Sequence, residues 1–258
     1  MNTDEQVCES VVAISTRKFP EGEGLGVLCG QWVFTCAHYF EALVIDLKCV
    51  PWLEVWRISD GTKGTFAMLY ASTMDFMILA PDGMTSSSSE AGGTESSWDV
   101  IIAAEERCSS LRPTEVVFQS GATAIMLPGF FFGPNGKTRH KAEFELHKDS
   151  AIIGFYSNDA VKGCSGGPMF TEDYQLIGIY TNSSKQPLEG NLRHCIGRRI
   201  DLCLPRLLYP QIEWDRLLIH PQPEQMPDPV DRGISSRPPS TGLEASKRSQ
   251  TGGGPKSG

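Results

Sequence analysis

Along most of this chain, short apolar segments follow one another between turn residues, with no long amphipathic helical stretch among them. That rhythm constrains the fold more than any other feature. The spacing predicts strands over 10–15, 26–29, 32–35, 42–47, 53–58, 65–70 and 76–79, and a second series over 100–103, 115–118, 123–127, 142–146, 151–156, 168–170, 175–180 and 194–204. Gly, Pro, Asp or Lys punctuates most of the gaps. Many short strands without crossover helices give an all-β fold of barrels or sandwiches, not a βαβ sheet.

Between the two series, 82–99 contains TSSSSEAGGTESS, polar and without apolar periodicity, and reads as a linker or exposed loop. PQIEWDRLLIH at 210–220 reads as a short terminal helix with Ile212, Leu217 and Leu218 on one face. From 221 to 258 the chain is nearly free of aromatic and branched apolar residues. Such a segment cannot offset its ordering entropy, so disorder is expected there.

The net charge of −8 and pI near 5.2 argue against nucleic acid or an anionic membrane as partner, because both need a basic footprint. The N-terminal segment MNTDEQVCES carries acids and no apolar run, unlike a secretory signal, and no window of about 20 apolar residues exists for a membrane span. The 8 cysteines would suit four disulfides in a secreted protein. Without a signal, free thiols in a reducing compartment are expected, and hence an intracellular, cytoplasmic location. No CxxC pair supports a zinc ribbon, and no cofactor or metal is called for.

Chemistry concentrates in Gly163-Cys164-Ser165-Gly166-Gly167-Pro168. Acyl transfer through a serine needs a hydroxyl on a tight turn and backbone N–H groups converging on the developing oxyanion. Gly163 and Ser165 supply those amides, and the following glycines let the backbone pass close to a substrate. The hexapeptide, with Met169-Phe170 and the later YQLIGIY, resembles the nucleophile loop and next strand of trypsin-like serine peptidases. The bland alternative is an ordinary glycine-rich turn.

The other parts of that family's pattern are present in order. His38 ends Trp32-Val33-Phe34-Thr35-Cys36-Ala37-His38, which resembles the family's strand-end histidine motif, and is the expected general base. Asp75 heads Asp75-Phe76-Met77-Ile78-Leu79, similar to the family's Asp-then-strand element. Asp46 follows His38 too soon to return to it, and Asp60 in Ser59-Asp60-Gly61 reads as turn chemistry. The order His, Asp, Ser is that of the chymotrypsin fold.

The resemblance spans roughly residues 10 to 208. It implies two six-stranded antiparallel β-barrels with the active site in the cleft between them. The first would occupy 1–81, and the second 100–220 together with the terminal helix. It implies a serine endopeptidase acting on protein or peptide substrates, without nucleic acid or membrane. A catalytically inactive binding module on the same fold is the competing reading. Cys164 stands where digestive members have an aspartate, and Tyr39 where secreted relatives have a cysteine, which moves the chain toward HtrA-like or viral-type members without a PDZ segment.

By the family's offset, Asp159 would sit at the base of the S1 pocket and favour Arg or Lys, or, in the HtrA-like arrangement, lie outside it. Thr181 and Asn182 would line the pocket and pair with substrate backbone. The Cys164 thiol is expected to pack, not to attack.

Overall fold

The computed structural model describes residues 2–16, 19–38, 52–81, 111–185, 188 and 191–221. The strands expected at 42–47 and 100–103, the 82–99 linker and the tail beyond 221 lie outside the described residues.

The first strand series closes into a barrel: β1 (Val11–Thr16), β2 (Phe19–Cys29), β3 (Trp32–Thr35), β4 (Trp52–Arg57), β5 (Lys63–Ser72) and β6 (Phe76–Pro81). They run in the order β1-β2-β3-β6-β5-β4. After β7 (Thr114–Phe118) a second barrel follows, made of β8 (Ala124–Phe132), β9 (Arg139–His147), β10 (Ile152–Ser157), β11 (Pro168–Thr171), β12 (Leu176–Ser183) and β13 (Arg193–Arg199). Its order is β10-β13-β12-β11-β8-β9, and every pairing within both barrels is antiparallel. This is the two-barrel fold the sequence leads one to expect.

Strand parity explains why these sequences make two barrels that hold together. In a strand, successive side chains point to opposite faces. Leu28, Val33, Met77 and Leu79 fill the first barrel with Val12, Ile14, Leu53, Val55 and Phe66. Their immediate neighbours Val27, Phe34, Phe76 and Ile78 face the other way, into a shared core with Phe130, Phe132, Phe170, Leu176 and Ile179 of the second barrel. Phe131, between two of those, and Met169, before Phe170, turn into the second barrel beside Phe144, Leu146, Ile153 and Phe155. Strands such as β3 and β6, buried at every position, are therefore apolar on both faces. Phe130 stacks on Phe170 at 5.5 Å, and Phe132 meets Phe170 edge-on at 6.3 Å, which gives the interbarrel core aromatic contacts beyond simple area burial.

Two segments depart from the sequence reading. The expected helix over 210–220 is a 3₁₀ turn at Tyr209–Gln211 followed by strand β14 (Asp215–Ile219), which runs parallel to β7 outside the barrels. Leu217 and Ile219 pack on the second barrel, while Leu218 is half exposed, so the period is two, not the helical period. The strand expected over 194–204 stops at Arg199 and continues as a helical turn, α2 (Ile200–Cys203), because Arg199 and Asp201 form a buried ion pair there. Arg199 also donates to the carbonyls of His147, Lys148 and Val116, and Asp201 accepts from Val116 N–H, which pins β7 to the barrel. A charged pair fully removed from water persists only with such satisfied hydrogen bonds.

A short helix α1 (Asp4–Ser10), unanticipated from the sequence, precedes β1. It is capped by Thr3, whose side chain accepts from Gln6 N–H while the Gln6 side chain returns to Thr3 N–H. Among the described residues, Cys8, Cys164, Cys195 and Cys203 are free thiols. No described helix is long and apolar enough to cross a membrane.

Candidate active site

His38 lies three residues beyond the end of β3, and Asp75 ends the β5–β6 hairpin. Because β3 and β6 pair, with Thr35 opposite Met77, the two positions meet at one end of the first barrel. Ser72 pairs with Phe76, so Thr73, Met74 and Asp75 form the hairpin loop, and Asp75 takes its left-handed position at φ 60°. Glycine normally fills that place, and Asp is among the few other residues that tolerate it. The backbone thereby aims the carboxylate at the His38 turn.

Asp75 Oδ1 accepts from the N–H of Ala37 at 2.9 Å and of His38 at 2.8 Å, and Oδ2 lies 2.9 Å from His38 Nδ1. That last contact is a hydrogen bond when the imidazole proton is on Nδ1, which leaves Nε2 as an acceptor. The side chains are 37% and 20% exposed, so the pair opens to solvent on the histidine side.

The Ser165 loop belongs to the second barrel but is fastened to the first. Leu25 N–H donates to Ser165 O at 2.9 Å, and the Thr35 hydroxyl donates to Leu25 O at 2.7 Å. Thr35 is buried three residues before His38, so one chain of bonds links the serine loop to the histidine strand. Gly166 sits at φ 81°, and a β-carbon there would collide with Leu25 O and the Thr35 hydroxyl. Only glycine allows this approach.

Within the loop, Cys164 N–H donates to Val161 O, Gly166 N–H to Tyr180 O and Gly167 N–H to Cys164 O. Among the described residues, the N–H groups of Gly163 and Ser165 donate to no backbone carbonyl. Gly163 is at φ 98°. These two amides flank Cys164 N–H, whose hydrogen bond points back into the loop, at the serine itself and two residues before it. Cys164 is wholly buried in the second barrel's core, and burial pushes its thiol pKa up, so it stays protonated and packs.

Asp159 is 58% exposed, with its carboxylate 3.3 Å from His140 Nδ1. Thr181 is buried, and its hydroxyl donates to Ile196 O at 3.0 Å, across the bulge between β12 and β13. Asn182 is exposed next to it. Sequence reasoning passed over Cys36, fully buried between Thr35 and Ala37. Its Sγ, a His38 ring nitrogen and an Asp75 carboxylate oxygen lie within 4.8 Å of one another. The spacing Cys36-x-His38 was the available signal.

No protein-family model matches the chain, and no curated protein sequence does either. Solved structures similar to it include a serine protease of a human pathogenic astrovirus, at 12% identity and a TM-score of 0.44, covering 77% of this chain and 94% of that one. Another is Rv3671c from M. tuberculosis, at 14% identity and a TM-score of 0.42, covering 76% of this chain and 83% of that one. The serine endoprotease from Yersinia pestis aligns at 14% identity and a TM-score of 0.44, over 78% of this chain and 64% of its own.

Proposed function

We propose that the chain is a serine endopeptidase that cleaves protein or peptide substrates through an acyl-enzyme, with His38, Asp75 and Ser165 as its triad. The observation that carries this reading is the Asp75 carboxylate, bonded to the His38 ring and to two amides of its turn, beside a serine loop tied to the same strand.

In this reading each residue has one role. Asp75 holds the imidazole with its proton on Nδ1 and stabilises the imidazolium that forms later. His38 Nε2 takes the Ser165 hydroxyl proton as Oγ attacks the scissile carbonyl, then returns it to the leaving amine. The N–H groups of Gly163 and Ser165 receive the tetrahedral oxyanion. Water repeats the sequence on the ester and frees Ser165.

The test is active-site labelling with a fluorophosphonate. One adduct per chain, mapped to Ser165 and absent in a folded Ser165→Ala variant, is expected, with peptidase activity falling by several powers of ten in that variant. A folded chain that neither labels nor cleaves any of a diverse peptide library would leave the inactive binding module instead.

A further inference from the structure

We infer that Cys36, His38 and Asp75 form a binding site for a thiophilic divalent cation of the zinc class, and that occupancy shuts off the serine chemistry. The first half stands on the ligand geometry alone; the second rests on the triad proposed above.

A thiol, an imidazole and a carboxylate suit zinc, and their single charged oxygen ligand suits magnesium and calcium poorly. Zinc bonds of about 2.0–2.3 Å in a tetrahedron put ligand atoms about 3.3–3.8 Å apart. Here all three lie within 4.8 Å of one another, so closing on an ion takes about an ångström of side-chain movement. The carboxylate is already oriented: Oδ1 is held by the Ala37 and His38 amides, which leaves Oδ2 beside Nδ1 as the ligating oxygen. Such outer bonds fix metal ligands in place. Cys36 and Ala37 are buried, and an ion enters past the exposed His38 ring. Three protein ligands leave a fourth position for water.

The inhibitory effect follows from the proton count. Binding releases the Cys36 thiol proton to solvent. Coordination at His38 Nδ1 displaces the proton there, and the neutral imidazole must then carry its proton on Nε2. Nε2 changes from acceptor to donor and can no longer take the Ser165 proton. Asp75 is removed from the relay at the same time, because its carboxylate now neutralises the metal.

Titration of the metal-free full chain with Co²⁺ should produce a thiolate-to-cobalt charge-transfer band saturating at one ion per chain, discharged by Zn²⁺. The band should survive Cys8→Ser, which removes the exposed thiol, and vanish in Cys36→Ser. X-ray absorption of the zinc-loaded wild type should show one sulfur at about 2.3 Å with nitrogen and oxygen near 2.0 Å. Zn²⁺, but not Mg²⁺, should block fluorophosphonate labelling of Ser165, with chelator restoring it. Loss of an outer-shell partner alone typically costs 10–100-fold in affinity, so Cys36→Ser should raise the zinc midpoint at least tenfold against its own metal-free rate. A wild-type spectrum without a sulfur ligand, or a midpoint shift under threefold in Cys36→Ser, overturns the site. Labelling that persists at zinc saturation overturns the switch. Sulfur-ligated metal on a chain that never labels supports the site and sinks only the peptidase reading.

Discussion

Substitutions at Asp75 separate its backbone role from its electrostatic one. The carboxylate makes two bonds to amides and one to the imidazole, from a residue in the left-handed region. Asp75→Asn keeps the tolerance for that conformation and keeps an oxygen for the two amides. What changes is the atom facing His38 Nδ1: an NH₂ group there favours the tautomer with its proton on Nε2, which cannot act as base. Stability should change by less than about 1 kcal/mol, while kcat/KM falls about 10³–10⁴-fold, the range that this exchange produces in a serine protease triad. Asp75→Ala loses both amide acceptors and places a β-carbon at φ 60° without the compensating side chain. Bonds to a charged acceptor contribute about 1.5 kcal/mol each at the low end, and the left-handed conformation adds about 1 kcal/mol, for a loss near 4 kcal/mol. Asp75→Gly loses the same bonds but relaxes the backbone, so it should be about 1 kcal/mol more stable than the alanine variant though equally inactive. Urea midpoints at constant slope give the stabilities, and peptide hydrolysis gives kcat/KM. An alanine variant as stable as the glycine one, or an asparagine variant above a tenth of wild-type activity, refutes the reasoning.

Gly166→Ala should cost at least about 2 kcal/mol, because the site combines a positive φ with contact against the Leu25 carbonyl; a urea midpoint equal to wild type would show that the loop is not clamped. Asp159→Ser should change the preference for Arg or Lys at P1 less than threefold, since its carboxylate is exposed and paired with His140; a peptide-library profile that loses basic residues would restore it to the pocket. Burial raises the thiol pKa of Cys195 and of Cys203 from 9.0 to about 11. The folded state thus holds protons that the unfolded state releases, and the stabilisation is complete below pH 9 and lost as pH rises to about 11. The loss amounts to about 2–3 kcal/mol per thiol, and it should be smaller in Cys195→Ala/Cys203→Ala when denaturation at pH 8 and pH 11 is compared. Equal losses in both proteins would refute it.

The strands were legible where a local signal and the tertiary environment agree. Trp32–Phe34 is apolar at each position because one parity fills a barrel and the other the interbarrel core, and the sequence shows both. The 215–219 segment misled because Ile212, Leu217 and Leu218 fall at a helical spacing, whereas the strand is selected by an open partner, β7, which only the assembled barrel presents. The turn at Arg199 was invisible because its cause lies in the carbonyls of His147, Lys148 and Val116, distant in the chain. For α1 the signal was present: Thr3 and Gln6 have the spacing of a capping box ahead of Val7.

The candidate site was legible for a different reason. Asp75 stands where a hairpin prefers glycine, and the Gly163 and Gly166 φ angles are open to few other residues. Strain of this kind costs about 1–3 kcal/mol per residue and persists only where surrounding bonds enforce it. Here the enforcing bonds are the amides of Ala37 and His38 on one side, and the Leu25 and Thr35 clamp on the other. Both sets converge on the end of β3, where Thr35 is tied through Leu25 to the serine loop and the following turn carries His38. Asp75 and Gly166 thus both depart from local preference toward that one point. Cys36 lies at the same point but conforms to every local rule as a buried, small, apolar-like side chain, so the Cys36-x-His38 spacing was easily taken for core packing until the assembled strand end set its thiol beside His38 and Asp75.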